Sequence, residues 1–191
     1  MPAGRPPPFF ASVIADALVT SVHRGSPVRN PTRARGLLAA IRLCWSADTF
    51  AAQVAYRLQA RLRGLHVPLV PAILRRVAVW VAGFKIAEEV HVAPGLHVAH
   101  GLIEVEGETR IEGGVSIFPF ATIGPRAGES RGPTLRAGAS IGTGAKVVGP
   151  VVVGEHAWVG ANAVVFTDTP DHGSATGVPT DGEIQAEPQP S

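Results

Sequence analysis

The sequence is poor in cysteine, aromatic residues and charge, and each shortage excludes a class of protein. A single cysteine, Cys44, excludes an internal disulfide framework and leaves no cysteine partner for a metal site. Aromatic residues make up 6% and charged residues 17% of a chain that is 46% hydrophobic, which favours a packed core built from small aliphatic side chains. No apolar run is long enough to span a membrane. We therefore expect a cytoplasmic protein with no membrane partner.

The small net charge of +2 hides two halves of opposite sign. Residues 1–85 carry twelve Lys or Arg against two Asp, and residues 86–191 carry five basic against thirteen acidic residues. A basic half can attract nucleic acid or anionic lipid. Its arginines, however, are spread over helical patterns without interleaved aromatic residues. A solvated face, or pairing with the acidic half inside an oligomer, is the favoured interpretation, and no nucleic-acid partner is expected.

The first half of the chain has the apolar spacing of helices. The pattern predicts helices over 9–22, 35–43 and 46–63, and a further one from Pro71 to Gly83. Ser46 is a plausible N-cap for the third helix, and four apolar residues recur along one of its faces: Phe50, Val54, Leu58 and Leu62.

At Ile86 the pattern changes to a period of six. Aliphatic residues recur in one phase at Val105, Ile111, Ile117, Ile123, Leu135, Ile141, Val147, Val153, Val159 and Val165. Ile86, Val92 and Val98 keep this period, shifted by one residue. Neither a helix nor an alternating strand repeats every six residues, so the period predicts a triangular prism of stacked parallel strands.

Two further features of the repeat support the prism. The fourth residue after each aliphatic one is often alanine, which suits a crowded inward position near a corner: Ala121, Ala139, Ala145, Ala157 and Ala163. One slot, at Glu129, is missed, because residues 125–132 read PRAGESRG and cannot fill a side of the prism. Such a loop predicts a functional segment projecting from one corner.

The closing repeats resemble those of serine O-acetyltransferases. The stretch Gly142–Pro179 contains GTGAKVVG, then VGANAVV, then GVP, much as members of that family do. The resemblance covers roughly residues 50–180 and implies an all-β left-handed parallel β-helix of hexapeptide repeats after an α-helical N-terminal region. We expect a helical region over 1–85, an acyltransferase domain over 86–168 and a C-terminal turn and tail over 169–191.

The resemblance also implies a catalytic histidine. Ungapped alignment from Ile86 places it at His100, whose neutral imidazole would take the proton of the acceptor hydroxyl. This sequence differs from the family at three positions. Lys85 stands where the family has the orienting acid, Ala99 where it has the aspartate before the histidine, and Gly132 where it has the second histidine. Substitutes for the missing acid could be Glu88, Glu89 or Glu104.

For acetyl-CoA, the expected co-substrate, small residues would line a groove along the stacked backbones, and cations would meet the phosphates. The positions expected to bind it are Gly124, Arg136, Gly142, Ala145, Lys146 and Gly160. No metal is expected, although His91, His97 and His100 could in a weaker interpretation recruit one between subunits. We expect His91, His97, His156 and His172 to be surface residues.

The expected function is therefore acetyl-CoA-dependent O-acetylation, with serine as the best single acceptor and cysteine biosynthesis as its context. Two alternatives stay open: transfer to another hydroxyl or amine, such as that of a sugar or an antibiotic, and a catalytically degenerate scaffold. The expected assembly is a homotrimer or a dimer of trimers.

Overall fold

A computed structural model describes residues 8–63 and 82–179, and within these ranges three helices precede fourteen short strands. The helices are α1 (Phe9–His23), α2 (Arg33–Ser46) and α3 (Asp48–Arg63). The strands are β1 (Phe84–Ile86), β2 (His91–Val92), β3 (His97–Val98), β4 (Ile103–Val105), β5 (Arg110–Ile111), β6 (Ser116–Ile117), β7 (Thr122–Gly124), β8 (Thr134–Leu135), β9 (Ser140–Ile141), β10 (Lys146–Val148), β11 (Val152–Val153), β12 (Trp158–Val159), β13 (Val164–Val165) and β14 (Ser174–Ala175). The helix predicted after Pro71 lies outside the described residues.

The strands form three parallel sheets, which are the three sides of a prism. Sheet A contains β1, β4, β7, β10 and β13; sheet B contains β2, β5, β8 and β11; sheet C contains β3, β6, β9, β12 and β14. The chain visits sheets A, B and C in turn and completes about five coils. Each strand therefore pairs with the strand one full coil away, and the fold is a parallel β-helix.

The core of the β-helix is the predicted column of aliphatic residues. All ten residues of the main phase are at most 4% exposed, and Ile86, Val92 and Val98 are also buried. The five alanines predicted at inward corner positions are at most 1% exposed. The hexapeptide phase predicted from the sequence is confirmed, because a shift of one residue would have turned these side chains outward.

The departures from the period of six lie where the sequence placed them. Val105 pairs with Ile123, 18 residues later, which is one coil of three hexapeptides. Ile86 pairs with Val105, 19 residues later, so the first coil contains one additional residue. Ile123 pairs with Val147, 24 residues on, so six additional residues leave the prism between β7 and β8. These are the loop residues around Glu129 that the pattern excluded from the core.

The last coil is shorter than the others, and side chains close it. Trp158 pairs with Ser174 at a spacing of 16 residues, so the strict period ends before this point. Asp168 Oδ1 accepts a 2.7 Å hydrogen bond from the backbone N–H of Val152, and Asp171 Oδ1 accepts one from that of Glu155. Paired strands thus run from Phe84 to Ala175, beyond the expected 86–168. The division of the chain into domains remains a prediction.

Helices α1 and α3 cover the first coil, and α2, the least buried of the three helices, packs on α1 and α3. Only Gly36, Ala40 and Leu43 of α2 are buried, and they pack on the core around Val13 and Phe50. A Cβ added at Gly36 would lie 2.6 Å from Ile14 Cγ2, so glycine is what allows the close approach of α2 to α1. Within the described ranges, none of the helices has the length and apolar character needed to span a membrane.

Helix α3 seals the open end of the β-helix with polar side chains. Thr49, Gln53 and Tyr56 donate hydrogen bonds of 2.7–3.3 Å to the backbone carbonyls of Val98, Leu96 and Val90. These carbonyls belong to the first coil, which has no preceding coil to pair with. An unpaired strand edge is unfavourable unless it is covered, and these side chains supply the missing partners.

Two details of α3 predicted from the sequence are wrong. Of its four apolar residues spaced by four, only Phe50 is fully buried, because the face turned to the β-helix is the polar one. Ser46 is the last residue of α2 and therefore does not cap α3.

A buried ion pair joins α1, α3 and the first coil. Arg57 donates two 3.0 Å hydrogen bonds to the carboxylate of Asp16 and two of 2.7 Å to the carbonyls of Val92 and Ala93. Asp16 Oδ1 accepts hydrogen bonds from the backbone N–H groups of Gly95 and Leu96. Every charged oxygen and most guanidinium donors are thereby satisfied, which is the condition under which such a pair is tolerated in a core.

Candidate active site

Coils of the β-helix turn at three corners, and one of them carries most of the predicted site. We call the turn from sheet C to sheet A the His100 corner; it comprises residues 99–102, 118–121, 142–145 and 160–163. The turn from sheet A to sheet B, the loop corner, comprises residues 87–90, 106–109, 124–133 and 148–151. Successive segments of each corner stack about 4.8 Å apart.

His100 is exposed and lies in the first coil of its corner. The backbone of this turn is held in place, since Ala99 N–H donates to Ile117 O at 3.0 Å and Leu102 N–H donates to Ala82 O at 3.1 Å. Within residues 8–63 and 82–179, no group forms a hydrogen bond with the His100 ring. The imidazole is therefore presented to solvent on a fixed backbone, without an orienting acid from the described part of its own chain.

Lys85, at the position of the missing acid, is bound by two glutamates of the next coil. Its Nζ pairs with Glu104 and lies 2.6 Å from Glu106 Oε1. Hydrogen bonds to Glu104 and Glu106 raise the pKa of Lys85. Glu104 is thus committed to Lys85 and does not orient His100.

Glu88 and Glu89, the other two candidate acids, follow β1 at the loop corner. This corner lies at the opposite end of sheet A from His100. Neither residue therefore takes the place of the missing acid within one chain.

The structure brings together four of the six positions predicted to bind coenzyme A. Gly142, Ala145, Lys146 and Gly160 lie at or beside the His100 corner, in the third and fourth coils. A Cβ at Gly142 would lie 2.7 Å from Val159 O, so glycine is required for the stacking of these coils. His100 precedes this small-residue stack by two coils, which is about 10 Å.

The remaining two predicted positions lie elsewhere. Gly124 ends β7 at the loop corner, and Arg136 follows β8 at the third corner, between sheets B and C. One chain therefore does not gather all six residues into one groove.

Lys146 is a cation that directly follows Ala145 of the small-residue stack. Its Nζ donates hydrogen bonds to Phe120 O at 2.9 Å and to Thr122 Oγ1 at 3.1 Å. Two of the three ammonium donors are thus used inside the corner, and one remains for an external anion.

Large apolar side chains at this corner were missed by the sequence reasoning. Leu102 and Phe120 are 57% and 56% exposed, and both have left-handed backbone with φ of 63°. Gly144 and Asn162 hold the same conformation in the following coils. Bulky residues rarely adopt it, and such strain is often kept at functional sites.

Trp158 adds a third exposed apolar side chain close to the corner. It is 50% exposed, and its ring lies 3.6 Å from the position that a Cβ on Gly160 would occupy. The usable signal for all three was in the sequence: they are large apolar residues outside the inward phase.

The loop corner has no room for the family's second histidine. A Cβ at Gly132 would overlap the hydroxyl of Thr109, which is buried and donates a 2.6 Å hydrogen bond to Glu106 O. Ser130 O and Pro133 O accept hydrogen bonds from the N–H groups of Glu108 and Arg110, which fix the end of the loop. The glycine is therefore built into the packing here.

His97 is buried, which corrects the expectation that it faces solvent. Helix α1 covers this part of sheet C, so the His97 ring stacks on His23 at 4.4 Å and its Nδ1 lies 3.2 Å from Thr20 Oγ1. Ser116 Oγ lies 2.9 Å from His23 Nε2. Burial, and secondarily the charges of His23, Arg24 and His100, lowers the pKa of His97 to about 4.

His91, His156 and His172 are exposed, as expected. His156 and His172 stack with ring centroids 5.5 Å apart at the third corner. Within the described ranges, no three His, Cys, Asp or Glu side chains gather in a way that could hold a metal ion.

Comparison with known proteins points to serine acetyltransferases. No protein-family model matches the chain. Serine acetyltransferase of Haemophilus influenzae is 45% identical over 67 residues, which are 34% of this chain and 25% of that protein. The Mycobacterium tuberculosis enzyme is 40% identical over 79 residues, 40% of this chain and 34% of that protein. The matched segments thus span only a quarter to a third of these curated relatives.

Solved structures extend the likeness to most of the chain. A serine acetyltransferase in complex with CoA has a TM-score of 0.69 and 27% identity, covering 88% of this chain and 68% of its own. Soybean serine acetyltransferase complexed with serine has a TM-score of 0.73 and 26% identity, covering 91% and 68%. The similarity to serine acetyltransferases and the left-handed parallel β-helix after a helical region, both predicted from the sequence, are confirmed.

Proposed function

We propose that this chain is an acetyl-CoA-dependent O-acetyltransferase in which His100 is the general base and serine is the best single acceptor. The observation that carries the proposal is the placement of His100, an exposed imidazole on the corner where the coils of small residues stack. The similarity to serine acetyltransferases, one of them solved with CoA and another with serine, supports both substrates.

The proposed step is a single acyl transfer. The neutral imidazole of His100 takes the proton of the acceptor hydroxyl while its oxygen attacks the thioester carbonyl carbon. The carbon–sulfur bond breaks, the acetyl group stays on the acceptor oxygen, and the His100 imidazolium returns its proton to the leaving sulfur, so that coenzyme A departs as the thiol. A positioned base of this kind contributes about 10²–10⁴-fold to the rate.

Coenzyme A would lie along the small-residue stack of the His100 corner. Gly142, Ala145 and Gly160 permit close approach of a narrow pantetheine chain, and the free donor of Lys146 would meet a phosphate. Trp158 would add an aromatic face beside Gly160. Gly124 and Arg136 lie at the other corners, so they would contact the same molecule only from a neighbouring copy.

Another hydroxyl or an amine is the second candidate acceptor. Two observations favour it: Lys85 replaces the orienting acid and is held by two glutamates, and Gly132 has no space for a second histidine. The same two observations are what a catalytically degenerate scaffold would show, so activity has to be measured.

A homotrimer would bring together parts of the candidate site that lie far apart within one chain. His100 and the loop around Glu129 lie at opposite ends of sheet A, so a site using both requires two copies packed side by side. We propose this assembly, with a dimer of trimers as its larger form, and a cytoplasmic location, in which the single cysteine stays reduced. Light scattering that finds a stable monomer at micromolar concentration would exclude the trimer.

The test is acetyl transfer from acetyl-CoA to a panel of serine, sugars and amines. We expect His100→Ala to lower kcat by about 10²–10⁴-fold with little change in coenzyme A affinity. His91→Ala is the matched control, since His91 is an exposed histidine on sheet B of the same coil. Robust transfer that survives His100→Ala would exclude this base. Binding of coenzyme A without acetylation of any acceptor would favour the scaffold.

A further inference from the structure

Helix α2 presents an apolar stripe to solvent on the side away from its packing contacts. Leu38, Ile41 and Trp45 are 65%, 61% and 94% exposed. They follow one another at spacings of three and four residues, so they lie on one face of the helix. The buried residues Gly36, Ala40 and Leu43 form the opposite face, which packs on α1. The stripe therefore faces solvent, while the opposite face of α2 is packed on α1.

Arginines border this stripe on both sides. At 100° per residue, Arg33 falls on one flank, and Arg35 and Arg42 fall on the other. All three side chains are exposed, and within the described residues none of them forms an ion pair. Long arginine side chains in this position can extend their charge into a polar layer while the stripe enters an apolar one.

The helical segment that contains α2 is poor in acidic residues. Asp16 and Asp48 are the only acidic residues between positions 8 and 63, and the carboxylate of Asp16 is buried against Arg57. Of the eight arginines in this span, three lie in α2, three lie in α3 and two lie in the loop before α2. The β-helix half of the chain has the opposite net charge, so the molecule has a positive end and a negative body.

This combination points to one occupant. We infer that α2 is an interfacial helix that lays its apolar stripe on an anionic lipid surface, with the acidic β-helix turned away from it. This differs from the expectation of no membrane partner, which rested on the lack of a membrane-spanning apolar run. An amphipathic helix with Trp and Leu on one face and arginines at its flanks binds such surfaces by apolar burial and electrostatic attraction together. A second copy of this chain fits less well, because pairing two α2 stripes would bring two sets of unpaired arginines together.

Vesicle flotation with the full chain tests this inference independently of enzymatic activity. We expect binding to vesicles of mixed phosphatidylglycerol and phosphatidylcholine at low ionic strength, weakened by salt, and at least about tenfold weaker binding to pure phosphatidylcholine. The double variant Ile41→Ser/Trp45→Ser should lose about tenfold or more in affinity while its circular dichroism stays unchanged, since both side chains are exposed. Arg35→Gln/Arg42→Gln should lose affinity for the anionic vesicles in the same way.

Matched controls lie outside the helical region. Val178→Ser removes an apolar side chain that is 59% exposed, and Arg110→Gln removes an exposed arginine; both should bind vesicles like the parent. Failure of the parent chain to bind anionic vesicles, equal binding to neutral ones, or binding that survives both α2 double variants would each overturn the inference. An oligomer that dissociates on Ile41→Ser/Trp45→Ser, seen by light scattering without lipid, would assign the stripe to a second copy instead.

Discussion

The β-helix and the helical cap, which consists of α1, α2 and α3, are stabilised by different interactions. In the β-helix, columns of aliphatic side chains such as Ile141 and Val153 stack in a fully buried core. At the cap, the contacts that join helices to the first coil are hydrogen bonds from Thr49, Gln53, Tyr56 and Arg57. The difference follows from geometry. The three sides of the prism pack against one another through side chains, whereas the open end of the prism exposes backbone carbonyls of the first coil.

That contrast explains why the two regions respond differently to change. The free energy of apolar burial is roughly proportional to the buried area, so it is spread over many side chains. A buried polar contact concentrates its energy in a few groups, and the loss of one partner leaves the other unsatisfied. We expect the β-helix to fail through charge in its core, and the cap to fail through the loss of single partners.

The largest effect is expected from a charge in the prism. Ile141 is fully buried in the middle of sheet C, and an unpaired carboxylate there costs several kcal/mol, so Ile141→Asp should prevent folding. Circular dichroism and thermal unfolding measure this. Ser140→Asp, on the outward face of the same strand, is the control and should change stability by less than about 1 kcal/mol. Native-like melting of Ile141→Asp would contradict the hexapeptide phase.

The next effect concerns the cap. Asp16→Ala leaves the Arg57 guanidinium buried without its counter-ion and removes the acceptor for the Gly95 and Leu96 N–H groups. Breaking a buried pair in this way costs about 3–5 kcal/mol. Chemical denaturation should show the loss, and Asp16→Asn, which keeps an acceptor oxygen, should lose less. A loss below about 1 kcal/mol would show that the cap does not depend on this pair.

A pH-dependent effect is expected where α1 crosses sheet C. The folded pKa of His97 is about 4, below its ordinary value of 6.5, so the unfolded chain binds more protons between these values. Stability should be complete above pH 6.5 and fall as the pH drops towards 4, by up to about 3 kcal/mol.

Denaturation between these pH values measures this contribution. His97→Gln should flatten the acid limb of the stability profile, while His91→Gln, on an exposed site, should not. An unchanged profile for His97→Gln would exclude His97 as its source.

The smallest effect is expected at the loop corner. Gly132→His would push a side chain into the buried Thr109 hydroxyl, and overpacking of this kind costs about 1–3 kcal/mol. Thr109→Gly should relieve part of the loss in the double variant, which a double-mutant cycle would reveal as coupling. Additive losses would mean that the two positions do not compete for space. Any gain in serine turnover is to be sought in the double variant.

Prediction from the sequence succeeded where one residue type repeats. The period of six located the core, the inserted residue before Val105 and the loop around Glu129, because each departure breaks a visible phase. It failed for α3, where the polar residues Gln53 and Arg57 are buried and Leu58 is only half-buried. It also failed for His97, since the helix that covers this histidine is more than seventy residues away in sequence.

The site divides in the same way. Resemblance predicted His100, and the need for a narrow groove with a nearby cation predicted Gly142, Ala145, Lys146 and Gly160; the fold places these residues around one corner. The resemblance did not identify Leu102, Phe120 or Trp158, although their position outside the inward phase was visible in the sequence. It named Gly132 as a departure from the family, but not the Thr109 hydroxyl that fills the space.

What the amino-acid sequence alone determined is the repeating part of this protein, because a hexapeptide period specifies local strands, corners and inward positions all at once. Only the tertiary structure decided how the ends are closed and what surrounds each polar group. Hydrogen bonds from α3 to the first coil, the Lys85 pairing with Glu104 and Glu106, and the stacking of His23 on His97 all join residues that no local pattern links. Their energies depend on distance and burial, which exist only once the chain has folded.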